Sequence, residues 1–357
     1  MNGKRFDALT GFRAIAAILV FLYHNRKYWR ENLHPEILRL FNEFHIGVSL
    51  FFVLSGFLIA YTYEDIPWQS KRNYIKYLLV RCARILPLYW LILTAYYIDP
   101  KYGKLNFSAL TYTLTHAFSN KFNLQGISQA WSLNVEMCFY VFAPLLYFLQ
   151  KKHLLYVIAS IILFFGIFWS VGSIWHLYNG NTNQFFYPTK FLIEGTFAGR
   201  SIEFIVGMIL AQILKSNKIS EASIFKYKTL CGALGIFLSC YLIGLFQPDI
   251  YHHGNDHIIG RVMSLTLLPF FTASLIAGLI TEKTSIQKFL STKIMVLLGN
   301  ASFAFYLIHI SYVNLRIKQF WFGRDRNFII LWIVSIFLYL VFEKPIYNTI
   351  KSVIRKL

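Results

Sequence analysis

Gly11-Phe12-Arg13-Ala14-Ile15-Ala16-Ala17-Ile18-Leu19-Val20-Phe21-Leu22-Tyr23-His24 is the stretch on which the reading of this chain turns. Ten consecutive apolar residues separate an arginine from a histidine. The surrounding run, residues 8–27, has the length that crosses ~30 Å of hydrocarbon as a helix. No small-residue cleavage site follows it, so it is not read as a removable signal peptide. Similar runs of about 18 to 22 residues recur along the chain. They fall at 45–63, 78–98, 130–149, 154–175, 197–214, 229–246, 261–281, 294–315 and 328–343. The third can begin earlier, because Lys71–Arg84 interleaves basic and apolar residues as an interfacial helix does.

Composition agrees with this reading. The 357 residues are 56% apolar, 18% aromatic and only 14% charged, against roughly 25% charged in an ordinary soluble chain. Disorder, a coiled coil and a typical soluble enzyme are excluded. The expected fold is an all-α polytopic membrane protein of about ten helices, with residues 1–357 forming a single domain. The net charge is +19, but the basic residues are scattered through short loops, which suits anionic lipid headgroups and argues against nucleic acid. Cys82, Cys138, Cys231 and Cys240 lie in or beside apolar runs without metal-ligand spacing, so neither a disulfide framework nor a zinc site is expected.

Lys and Arg set the orientation. With the N-terminus in the cytoplasm, inner segments carry 20 of them, beginning with Lys4 and Arg5, and outer segments carry 12. Both termini are therefore expected inside. The polar segment 99–128 then lies outside, where a hydrophilic substrate could meet it.

Charged side chains inside apolar runs cost on the order of 2.5–3.5 kcal/mol each at mid-membrane and so point to function. Arg13 and His24 are 11 residues apart, which places them on one helix face about 16 Å apart along the axis. Each could instead snorkel to its nearer headgroup layer. Glu136, in Trp131-Ser132-Leu133-Asn134-Val135-Glu136, is expected at a depth similar to that of His24. A carboxylate that fixes an imidazole tautomer makes a general base; a structural contact between helices is the other reading. Arg81 and Arg84 share a helix face at i and i+3 and suit a phosphorylated ligand, or else anchor the helix at the inner headgroups. Arg200 with Glu203, Arg261 and His309 are weaker points. His252, His253 and His257 with Asp249 and Asp256 lack regular ligand spacing, and no metal is expected there.

Several of these stretches, taken in order, resemble the acyltransferase family 3 membrane proteins, which include bacterial O-antigen and Nod-factor O-acetyltransferases. The stretches are Leu9 through Arg13 to Tyr23-His24, Gly47 to Ile59, Arg81-x-x-Arg84-x-x-Pro87 and Trp131-Ser132-Leu133-x-x-Glu136-x-x-Phe139-Tyr140. Arg200-x-x-Glu203-Phe204-x-x-Gly207, Gly299-x-x-Ser302-x-x-x-Tyr306-Leu307-x-His309 and Glu343-Lys344-Pro345 complete the set. The resemblance implies a ten-helix domain in the bacterial inner membrane. It implies transfer of acetyl, or another short acyl group, from cytoplasmic acetyl-CoA to a hydroxyl of a surface carbohydrate such as lipopolysaccharide O-antigen.

Carried over by motif, Arg13 and His24 match the family's required pair, Arg81 and Arg84 its arginine motif, and Glu136 its acidic position. The expected division of labour is His24 with Glu136 as base, and Arg13, Arg81 and Arg84 as the donor grip. Trp131, Ser132, Tyr306 and His309 are candidates for support, the first three as oxyanion stabilisers. Direct transfer is preferred to a covalent intermediate, since no Ser or Cys stands in a nucleophile context. The chain ends soon after Pro345, and the extracytoplasmic domain that some relatives carry is not expected. The rival function is a glycolipid transporter or flippase, which buried charges and ten spans suit equally. The motifs carry no information on the sugar, its hydroxyl position or the oligomeric state.

Overall fold

The computed structural model describes residues 6–26, 33–63, 70–99, 108–216, 227–249, 251–320 and 324–356. Lys4 and Arg5, which entered the orientation count, and residues 100–107 of the 99–128 segment lie outside them. The described residues form α-helices joined by short turns and 3-10 segments, with one isolated bridge between Ser119 and Phe185. In chain order the helices are α1 (Asp7–Asn25), α2 (Pro35–Asn42), α3 (Gly47–Tyr63), α4 (Lys71–Ile98), α5 (Ala109–Tyr112), α6 (Trp131–Lys152), α7 (Leu154–Asn179) and α8 (Thr189–Gly195). There follow α9 (Phe197–Lys215), α10 (Lys228–Gly244), α11 (Ile258–Thr281), α12 (Ser285–Leu290), α13 (Lys293–Ile308), α14 (Tyr312–Phe320), α15 (Arg324–Leu338) and α16 (Lys344–Lys356).

The protein is an all-α polytopic membrane protein. Among the described residues, eight helices or continuous helix groups are long and apolar enough to cross a bilayer. A ninth candidate is the pair α13 and α14, bent by 88° between Ile308 and Tyr312. The 17-residue α10 is a shorter apolar helix. These correspond to the ten runs read from the sequence, with five differences in extent. The second span starts at Pro35. The interfacial segment before residue 78 is continuous with α4. The sixth span starts at Thr189, and the last runs on to Lys356 through a π-helical turn at Tyr339–Glu343. The ninth is broken. Helix α7 is apolar around nearly its whole circumference yet hardly buried, with Ile162, Leu163 and Leu177 exposed. An apolar surface of that extent is stable only against lipid.

The chain divides into two compact units. The first comprises Met1–Glu64 and Ile202–Tyr306, the second Asp65–Ser201 and Leu307–Leu357. In the first, α1 runs beside α3, α11 and α12, and α10 pairs with α11 along its length. Glycines permit the closest approaches. A Cβ on Gly56 would strike the Phe204 carbonyl, and one on Gly207 would strike the Val53 carbonyl, so α3 and α9 meet backbone to backbone. Gly299 does the same for α13 against the Thr10 carbonyl. Small residues at such contacts are the usual means of packing helices in lipid, where no hydrophobic drive separates helix from solvent. The glycines of the sequence motifs thus hold the frame.

In the second unit α16 packs on α4, and α6 against α4 and α7. The backbone of the irregular segment after α5 is held by side chains. Tyr89 Oη donates to the Thr111 carbonyl at 2.6 Å and Asn134 Nδ2 to the Leu114 carbonyl at 3.1 Å. At the α13–α14 break, Gln129 Nε2 donates to the Leu307 carbonyl at 2.7 Å, and Asn314 donates to that of His309. Such donors are required wherever a helix unwinds at membrane depth.

Candidate active site

Helix α1 carries Arg13 and His24, both partly buried, as the spacing on one face requires. His24 lies in the last turn, where its ring meets Tyr23 edge-on at 4.9 Å. Tyr23 is the hub of a group of rings that includes His45 at 5.3 Å and His253 at 6.4 Å, with His45 and His253 4.7 Å apart. The Arg26 guanidinium sits 4.1 Å from the Tyr23 ring centre and donates to the Tyr23 carbonyl.

Behind these rings Glu43 is fully buried. Its Oε1 accepts from Gln247 Nε2 and from the Gly254 N–H, both at 2.7 Å. Gly254 is the residue that fits there, because a Cβ would strike the Ile243 carbonyl. Glu43 therefore ties the 3-10 turn Gly254–Asp256 to the segment between α2 and α3, and that turn delivers His253, Asn255 and Asp256 beside Tyr23. Tyr306, also in this unit, is nearly buried and packs edge-on against Phe51.

The second unit holds the remaining candidates. Tyr140, one turn after Glu136 on α6, donates its hydroxyl to Glu136 Oε1. Arg81 lies 5.8 Å from the centre of the Tyr140 ring and 5.9 Å from that of Tyr77. Arg84 is one turn further along α4. Arg81 and Glu136, expected in different roles, are thus joined through a single side chain. Trp131 opens α6. Ser132 Oγ donates to the Gln129 carbonyl at 3.0 Å, which occupies its proton. His309 is buried at the start of the helix break. His24 belongs to the first unit and Glu136 to the second.

Among the described residues no group of three or more His, Cys, Asp or Glu side chains could hold a metal ion. His252 Nδ1 instead pairs with Asp249 Oδ1 at 2.8 Å, and His253 lies 3.9 Å from Asp256. That hydrogen bond to His252 holds the exposed Asp249 carboxyl below its usual range.

A family model described as an acyltransferase domain matches residues 6–343. The chain belongs to acyltransferase family 3. Curated relatives include a Staphylococcus aureus (strain COL) protein named "Putative O-acetyltransferase", 24% identical, with 99% of this chain aligned to 58% of the relative. The O-acetyltransferases OatA of S. aureus strains NCTC 8325 and COL are 23% identical with the same coverage. The chain therefore spans about three-fifths of the length of these relatives. No solved structure matches it.

Sequence reasoning missed Tyr140 as a partner of Glu136, although it stands in the quoted motif. It also missed Glu43, His45 and Asn255. Glu43 falls between the first two apolar runs and His45 at the edge of the second, and nothing local marks Glu43 as buried. One signal was available: Asn42-Glu43-Phe44-His45 places an acid and a histidine immediately before an apolar run.

Proposed function

We propose that this acyltransferase family 3 member transfers acetyl from acetyl-CoA to a hydroxyl of a cell-surface carbohydrate, with O-antigen-type glycans as the acceptor class. It works from the bacterial inner membrane with both termini in the cytoplasm. The observation that supports this best is α1, an unbroken helix with Arg13 and His24 on one face in a chain whose family match spans 6–343. The names of the relatives favour acetyl and a hydroxyl acceptor.

In this reading the donor is held from the cytoplasmic side. Arg81 and Arg84, with Arg13, bind its phosphates by charge-assisted hydrogen bonds. The pantetheine arm follows the face of α1, covering the ~16 Å between Arg13 and His24. Neutral His24, supported by Glu136, removes the proton from the sugar hydroxyl. That oxygen attacks the thioester carbonyl, and a tetrahedral oxyanion forms beside Trp131 or Tyr306. The C–S bond then breaks, the new ester remains on the sugar, and the departing thiolate takes the proton from the His24 imidazolium. No metal takes part in this scheme.

Sealed vesicles of known orientation test it, with the full chain, labelled acetyl-CoA on one face and glycan on the other. Label should enter glycan only with acetyl-CoA on the cytoplasmic face and glycan opposite, and His24→Ala should abolish incorporation at normal protein abundance. Transport of intact glycolipid without acetylation would overturn the reading.

A further inference from the structure

At the Asn25 end of α1 the hydrogen bonds within the first unit leave a particular set of atoms over. His45 Nδ1 faces the Asn42 carbonyl at 3.2 Å. A carbonyl only accepts, so Nδ1 carries the proton, and in the neutral ring Nε2 is then an acceptor. Asn255 Nδ2 meets that Nε2 at 3.1 Å, which fixes the orientation of the Asn255 amide and leaves its Oδ1 as an acceptor. Oδ1 is buried and has no hydrogen-bond partner among the described residues. Oε2 of Glu43 is in the same condition: His45 Nδ1 is 4.0 Å away, too far for a hydrogen bond. Both residues are more than nine-tenths buried. An unpaired buried polar atom is costly, so two in residues joined through Gly254 call for a common explanation.

In contact with this floor, the side chains of His45, His253 and Asp256 remain 20%, 23% and 18% exposed, and the Tyr23 ring lies against both imidazoles. The place therefore combines ring surfaces, two buried oxygens in need of partners and an accessible carboxylate. Small-molecule sites are built in this way, from apolar and aromatic faces with a few convergent polar groups. The unsatisfied atoms define the ligand. Asn255 Oδ1 only accepts. Glu43 Oε2 accepts when ionised and donates when protonated. Hydroxyl groups satisfy all three cases, since each both donates and accepts. A phosphate would meet the carboxyl groups of Glu43 and Asp256 and be repelled, so this is no part of a coenzyme A grip.

We infer that Glu43, His45, His253, Asn255 and Asp256, with the Tyr23 ring, form a subsite for the hydroxyl-bearing edge of a sugar ring next to His24. The inference rests on the acyl-transfer reading above for its identification of the bound sugar as acceptor. It adds the residues that choose it. Glu43 is a positioning residue: it holds the Gly254–Asp256 turn and, through that turn, the recognition groups.

Carbethoxylation of histidines by diethyl pyrocarbonate, read peptide by peptide by mass spectrometry on the full chain in nanodiscs, tests the subsite. The probes are the methyl glycosides of glucose, galactose, mannose, rhamnose and N-acetylglucosamine, with coenzyme A for comparison. At least one glycoside should slow modification of both His45 and His253 saturably, whereas coenzyme A should not. Asp256→Asn should raise the half-protecting concentration about tenfold or more, the expected loss for a charge-assisted hydrogen bond. His253→Gln, which removes one reporter, should weaken protection of His45 as well. Asp249→Asn, at a neighbouring exposed carboxylate outside the subsite, should change neither. Absence of protection by every glycoside, equal protection by coenzyme A, or an unchanged concentration in Asp256→Asn overturns the subsite. Acetylation of glycan without protection rejects the subsite and leaves the acyl-transfer reading standing. Saturable protection in a protein that transfers no acetyl retains the subsite and rejects that reading.

Discussion

Tyr140 donates its hydroxyl to the carboxylate of Glu136 one helical turn before it, while its ring faces the guanidinium of Arg81. A carboxylate that receives such a bond is fixed in rotamer. If Glu136 orients the base His24, both groups matter. Glu136→Gln should then remove activity at normal abundance. Tyr140→Phe keeps the ring against Arg81 and loses only the hydrogen bond, so kcat should fall roughly tenfold or more with little change in donor KM. Equal kcat in wild type and Tyr140→Phe would show that the hydroxyl does not serve the reaction.

Arg81 and Arg84 should differ as donor ligands. Loss of a charge-assisted phosphate contact costs about 1.5–3 kcal/mol, or roughly 10- to 150-fold. Arg84→Ala should raise the acetyl-CoA KM by that amount and leave kcat nearly intact. Arg81→Ala should raise the KM and also lower kcat, because it disturbs the Tyr140–Glu136 pair. Initial rates across donor concentrations separate the two patterns, and an unchanged donor KM in both returns these arginines to headgroup anchoring.

Much of this was legible in the sequence. Apolar run length foretold the helices because a membrane-spanning backbone must satisfy its own hydrogen bonds. The break at Ile308–Tyr312 was not legible, since it depends on Gln129 and Asn314 reaching carbonyls far from them or around a turn. The pairing of Arg13 with His24 on one face followed from spacing alone. Tyr140 with Glu136, at i and i+4, could have been read by the same rule. Glu43 could not, because its burial depends on the Gly254–Asp256 turn, some two hundred residues away in sequence.

Gly56 and Gly207 should be required for accumulation, independently of the reaction. At each, a new side chain meets a backbone carbonyl of the opposing helix, which no rotamer change can relieve. Gly56→Val and Gly207→Val should each force α3 and α9 apart and lower the amount of folded protein, as overpacking costs typically 1–3 kcal/mol or more. Gly166, on α7 with open space around it, is the control, and Gly166→Val should accumulate normally. Fluorescence-detected size-exclusion profiles of the three variants measure this directly.

His116 lies in the 3-10 turn Thr115–Phe118, outside the spans, and is 2% exposed. Burial pushes its pKa below the ordinary value of 6.5, opposed in part by the contact of Nδ1 with the Leu110 carbonyl at 3.3 Å. The folded state thus prefers the neutral ring, whereas the unfolded chain binds a proton as pH falls below 6.5. Between the lowered folded value and 6.5 the unfolded state holds more protons, so stability rises with pH in that window. The contribution of His116 is complete above 6.5 and is lost as the solution is acidified through the folded pKa. His116→Gln replaces the imidazole with an amide that does not titrate. Thermal unfolding of detergent-solubilised protein from pH 7.5 down to 5 should therefore show a shallower acid loss in His116→Gln than in wild type. Superimposable pH profiles would mean that the imidazole gains a proton in the fold as readily as in the unfolded chain.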